Sequence, residues 1–218
     1  MIMAPKKLML SILLATFLVA GCNSDSTPAT VTTSILSDAS LDGDIEQTSS
    51  SYIITQGMSP SVQSVFAGID PVSGNEYRAF LDFHLNGANY IPTDAIIDNA
   101  TLELHINSIT SDSITIPIRI DLVSFDQSIL YPSDFDRSAQ PALTYITLSP
   151  PISTSEIGTT ITLDVTVLMQ EAQNNGLSDF QVRILEDFGT SASGLIEFND
   201  STGLDRKSIA PYLSVTYH

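Results

Sequence analysis

Apolar residues recur with a period of two along most of this chain. Tyr77, Ala79, Leu81, Phe83 and Leu85 alternate with Arg78, Phe80, Asp82 and His84. Ala100, Leu102, Leu104 and Ile106 alternate with Thr101, Glu103, His105 and Asn107. Ile114, Ile116, Ile118, Ile120 and Leu122 do the same against Thr115, Pro117, Arg119 and Asp121. Successive side chains of a strand point to opposite faces, so each run predicts a strand with one buried face. Pro117 cannot donate to a ladder, so the third strand is expected at an edge or bulged there.

Shorter runs predict further strands near Tyr52–Gln56, Val62–Ile69, Leu143–Leu148, Thr159–Val165, Phe180–Leu185, Leu195–Asn199 and Tyr212–Tyr217. Turn signals separate them, among them Pro71-Val72-Ser73-Gly74-Asn75, Asn86-Gly87 and Pro150-Pro151. Val165, Leu168, Met169 and Ala172 instead keep helical spacing. That predicts one short helix over Val165–Asn174, capped by Asp164 or Thr166 and ended by Gly176. Many short strands with such turns predict an all-β, antiparallel β-sandwich, with the helix plugging one end.

The first residues read differently. Lys6 and Lys7 precede an apolar run from Leu8 to Ala20, which ends in Val19-Ala20-Gly21-Cys22. The run is short for a membrane span but suits the apolar part of an export signal. The order of charge, apolar run, small residues and cysteine resembles the lipobox of bacterial lipoproteins. The resemblance implies a signal peptide over residues 1–21 and acylation of Cys22, with palmitate-type chains, as the mature N-terminus. Asn23 rather than an aspartate follows the cysteine, which in the sorting rule of enteric bacteria points to the outer membrane. Residues 22–39 are Ser/Thr-rich without periodicity and read as a flexible tether, leaving residues 40–218 as the folded domain.

Charge narrows the partners. Twenty-five acidic residues against eight basic ones give a net charge of −17, and loss of Lys6 and Lys7 lowers it to −19. Such a surface repels phosphate backbones and anionic headgroups, so nucleic acid is not an expected partner. It attracts divalent cations or basic partners, or simply keeps an exported protein dispersed. The single cysteine forbids an internal disulfide, so the fold rests on its core.

Five segments, taken in order, resemble the bacterial DNRLRE-domain family, also described as carbohydrate-binding modules. They are Tyr77-Arg78-Ala79-Phe80-Leu81-Asp82-Phe83; Ile91-Pro92 with Ala95 to Leu104; Ile161-Thr162-Leu163-Asp164-Val165-Thr166; Asn174-Asn175-Gly176-Leu177; and Ile209-Ala210-Pro211-Tyr212-Leu213-Ser214-Val215-Thr216-Tyr217. The chain lacks the tryptophans common in that family, and Lys207 to Ala210 stand where an arginine is usual before the closing proline. The resemblance implies a jelly-roll-like sandwich and a polysaccharide ligand.

Candidate chemistry is sparse. Gly-x-Ser-x-Gly is absent, and no set of acid, base and nucleophile assembles from the residues, so a non-catalytic role is expected. Sugar stacking needs exposed rings, for which Tyr52, Phe80, Tyr90, Tyr131, Phe135 and Tyr145 are candidates. Phe80 lies opposite the Phe83 face, so it is either exposed or covered by the Tyr131–Phe135 connection. Asp38, Asp42, Asp44 and Glu46 cluster hard oxygen ligands around Gly43, a candidate calcium loop, with Asn199, Asp200 and Asp205 as a second. His84 and His105, near Asp82 and Glu103, are a candidate zinc cluster or plain polar faces of two strands. Three functions stay open: glycan binding, docking onto a protein partner, and hydrolysis.

Overall fold

The computed structural model describes residues 28–57, 62–86, 91–126, 128–187 and 193–218. The strands are β1 (Val31–Leu36), β2 (Gly43–Gln47), β3 (Tyr52–Gln56), β4 (Ser64–Ile69), β5 (Glu76–His84), β6 (Ile97–Ser111), β7 (Thr115–Ile116) and β8 (Ile118–Val123). After helix α1 (Pro132–Phe135) come β9 (Thr144–Thr147), β10 (Ile152–Ser153) and β11 (Thr160–Asp164). Helix α2 (Thr166–Asn174), β12 (Asp179–Glu186), β13 (Gly194–Asn199), α3 (Arg206–Ile209) and β14 (Tyr212–Tyr217) complete the chain. The protein is an all-β sandwich in which twelve strands form one curled antiparallel sheet and β7 and β10 pair as a separate two-stranded ribbon.

The curl runs through β6. Its first half pairs with β14 and β11, and its second half with β13. One layer is therefore β1, β14, β11 and the start of β6. The other continues through β13 and β4 to β5, β12, β8 and β9, with β2 and β3 beside β5. Between the layers lie the apolar alternates of the predicted strands, including Leu81, Phe83, Leu102, Leu104, Ile120, Val182 and Val215, all essentially without solvent contact. Leu168, Met169 and Ala172 of α2 join the same core, so the helix closes one end as its spacing predicts. Gly176 ends it at φ +62°, a left-handed conformation that favours glycine.

Three expectations are corrected. Val31–Leu36, read as tether, is β1 and pairs with the whole of β14 from Val31↔Tyr217 to Leu36↔Tyr212. Its apolar residues, Val31, Ile35 and Leu36, do not alternate with polar ones, because an edge strand buries little: only Ile35 is buried. The acidic stretch Asp42 to Glu46 is mostly the strand β2, laid between β3 and β5. Pro117 interrupts the run between β7 and β8, as the alternative of an irregularity there expects, but the edge alternative fails because β8 is flanked by β12 and β9.

Gly68 marks a close approach. Its φ is +117°, and a Cβ there would sit 2.0 Å from the Gly194 carbonyl oxygen across β13. Only glycine fits both the backbone conformation and that space.

Candidate functional site

The side of the β3-β2-β5-β12-β8-β9 layer that faces away from the core carries the unusual chemistry. The register fixes which residues share it. Gly43, Phe80, Arg183, Asp121 and Tyr145 form one row across five strands, and Asp82, Gln181 and Val123 the next. The connection between β8 and β9 folds over the middle of this face. Phe125, Leu130 and Phe135 from it close a second apolar cluster over Phe80, Ile45 and Val123. The Phe80 and Phe125 rings meet edge to face at 5.6 Å.

Two arginines hold that cover down from below. Arg183 is fully buried; it donates to Asp121 at 2.7 Å and to the Asp134 carbonyl at 2.7 Å. Burial lowers its pKa, and Asp121 works against that shift. Arg119 shares the same buried carboxylate and lies over the Tyr145 ring, 3.5 Å from its centre. Arg78 pairs with Glu76, donates to the Phe135 carbonyl and lies 3.9 Å from the centre of the Phe135 ring. Cations thus satisfy backbone carbonyls of the connection where no strand could.

The predicted sugar-stacking residues divide accordingly. Phe80 has no solvent contact and Phe135 is 3% exposed, so neither ring is available to a ligand. The connection covering Phe80 is the loop alternative that the sequence left open. Tyr90 lies outside the described residues. Tyr131 is 47% exposed, and so are Tyr145 at 54% and Tyr52 at 38%. Tyr52 is on β3, opposite Gln47 and in line with Glu76, so it shares the outer face; its ring sits 5.3 Å from Phe135. Tyr131 stands on the connection itself, at the start of α1. Tyr52 and Tyr145 are on opposite margins of the layer, five strand spacings apart, or roughly 24 Å.

The four predicted calcium ligands each engage a different protein group. Asp38 accepts from Ser40 and from His84. Asp42 accepts from the Asp82 amide and lies against Asp200, with Arg206 3.9 Å from it and 2.7 Å from Asp200. The two acidic loops do meet, therefore, but a guanidinium stands beside them. Burial and then Asp200 push Asp42 far above the usual carboxylate range. Asp44 faces inward and accepts from the Phe66 amide, and burial raises it to about 7. Glu46 accepts from Asn75.

The histidines also separate. His105 meets Thr160, and His218 meets Asp98. His84, at the end of β5, is ringed by Asp38, Asp82 and Asp179. Asp179 was not foreseen, although it heads the Phe180–Leu185 run. Its hydrogen bond, then Asp82 and Asp38, raise the His84 pKa against partial burial. Asp82 is fully buried and raised by burial to about 6, despite a hydrogen bond from Gln181.

Between the margins of the two layers lies a cleft of about 660 Å³, lined by β9, β11 and the turn joining β9 to β10. Its walls are Ile146, Leu148, Pro150, Ile161 and Leu163 with threonines between, and no aromatic ring of the described residues lines it. Among the described residues no helix is long and apolar enough to cross a membrane. No known protein-family model matches the chain, and no curated protein matches it significantly, so the DNRLRE resemblance rests on the five segments alone.

Proposed function

We propose that this is a non-catalytic, lipid-anchored cell-envelope protein, held in the outer membrane, that binds a polysaccharide across the outer face of its β3-to-β9 layer. The supporting observation is the trio of exposed tyrosines, Tyr52, Tyr131 and Tyr145, on one side of the molecule. Ring faces stack on the apolar faces of pyranoses, and a spread of roughly 24 Å suits a chain rather than a single sugar. Arg119, laid on Tyr145, holds that ring in place without a mobile loop. Calorimetric titration against neutral and acidic polysaccharides, with and without calcium, tests the reading. Each ring is worth about 0.5–1.5 kcal/mol. Exchange of all three tyrosines for alanine is expected to weaken binding at least about tenfold. An undiminished affinity in the triple variant, or no binding by the wild type, would overturn it.

The anchor follows from the lipobox-like residues around Cys22. Eight residues lie between Cys22 and β1, which hold the domain within about 30 Å of the lipid surface. Cells fed an alkyne analogue of palmitate are expected to label the wild-type chain. Cys22→Ser should lose both the label and membrane association; a labelled Cys22→Ser chain would refute acylation at this residue.

A second reading, docking of an extended peptide, is favoured by the cleft between the edge strands β9 and β11, each paired on one side only among the described residues. Its apolar walls without aromatic rings suit a peptide better than a sugar.

A further inference from the structure

We infer that His84, Asp82 and Asp179 form a binding site for a borderline transition-metal dication, of which Zn²⁺ is the type. The strands build it. Asp82 and His84 are two apart on β5 and share its outer face, and Asp179 on β12 is the direct cross-strand partner of His84. One atom of each converges: His84 Nδ1 lies 2.6 Å from Asp179 Oδ1 and 3.3 Å from Asp82 Oδ1. All three lie within 4.8 Å of one another. Tetrahedral zinc with ordinary bond lengths spaces its ligand atoms by about 3.3 Å. Asp82 is already at that spacing, and Asp179 has to open by less than an ångström towards a histidine whose side chain is 45% exposed.

The outward atoms are all engaged. Asp82 Oδ2 accepts from Gln181 at 2.6 Å, Asp179 Oδ2 accepts from Ser178, and His84 Nε2 faces Asp38 Oδ2 at 3.0 Å. With a proton on Nε2 donated to Asp38, Nδ1 faces two carboxylate oxygens, a place for either a second proton or a metal ion. Carboxylates behind liganding histidines accept the outer ring proton in this way in metal sites.

The independent sign is Asp82. Its side chain is wholly buried, and among the described residues Oδ1 makes no hydrogen bond, with His84 Nδ1 3.3 Å away across the cluster. A buried carboxylate oxygen left bare is costly, and a metal ion removes the cost. A cleft of about 240 Å³ lined by Asp179, Gln181, Ser178 and Phe125 opens beside the cluster and admits the water that completes four-coordination. One imidazole with two carboxylates favours zinc or its neighbours over calcium, which takes six to eight oxygens. The site does not depend on the glycan reading.

The test is metal titration of the full chain in detergent after treatment with a chelator. One equivalent of Zn²⁺ is expected to bind, and Co²⁺ in its place should give the visible absorption of a tetrahedral site. His84→Gln and Asp179→Asn are each expected to abolish the Co²⁺ spectrum while circular dichroism stays that of the wild type. Asp38→Asn should weaken binding by about 10- to 100-fold. His105→Ala should change nothing. Failure of the wild type to bind, or a Co²⁺ spectrum that survives His84→Gln, would overturn the inference and leave His84 as an imidazolium held by three carboxylates.

Discussion

Exchange of Arg183 for methionine is expected to lower the stability of the fold by about 3–5 kcal/mol, the usual cost of stripping one partner from a buried ion pair. Neither Arg183 nor Asp121 has solvent contact. Without the guanidinium, Asp121 keeps only Arg119 as a cation among the described residues, and the Asp134 carbonyl loses its donor. The damage spreads because Arg183 ties down the connection that shields Phe80. The companion variant separates charge from packing. Arg183→Met with Asp121→Leu removes both ions, leaves no carboxylate stranded, and is expected to be more stable than the single variant. Urea denaturation of the chain from residue 28 onward reads both, with an unchanged denaturant slope showing that the fold is intact. Equal losses in the single and double variants would show that the arginine acts by packing alone.

Acidification from pH 8 to pH 5 is expected to stabilise this protein, the reverse of ordinary acid denaturation. The cause is a set of carboxyls that burial holds too basic. Asp44 and Glu186 are raised to about 7 and Asp82 to about 6, and Asp42 and Asp200 are raised as well. For such groups the folded state binds more protons than the unfolded state between the two pKa values. Stability then falls as pH rises through that window, from about 4 to about 7. Asp44 alone accounts for on the order of 4 kcal/mol across it. His84, raised by its carboxylates, adds stability that is likewise lost as pH rises through its folded value. Carboxyls held low by hydrogen bonds, such as Asp70 and Asp164, lose their contribution only below pH ~4. Thermal melts in the presence of a chelator should therefore show a higher Tm at pH 5 than at pH 8, with Asp44→Asn flattening the difference. A Tm that is equal or lower at pH 5 would contradict the assignment.

Period-two patterning made most of the strands legible, because each contributes one face to a single core. Tyr77–Leu85 reads out β5 almost residue for residue, and Val165–Asn174 reads out α2. β1 escaped because this edge strand buries only Ile35 and its apolar residues do not alternate, and β2 because its inward positions are Asp44 and Glu46 rather than apolar residues. The outer face was harder. A sandwich is expected to leave that face wet, so the sequence leaves Phe80 either exposed or covered by the Tyr131–Phe135 connection, and only the packing of that connection decides for cover. Nothing in one sequence says that buried arginines will meet the carbonyls of that connection. The metal cluster was half visible. Asp82 and His84 stand two apart and so share a face, but Asp179 joins them only through the β5–β12 register, and sequence spacing suggested His105 instead.

Backbone amide shifts of the isotope-labelled domain, recorded during titration with the polysaccharide that binds it, test the central claim most directly. Perturbations confined to the outer face, at Tyr52, Tyr131, Tyr145 and their strand neighbours, are the expected result. Perturbations that instead map to the β9–β11 cleft, or no perturbation by any polysaccharide, would contradict it.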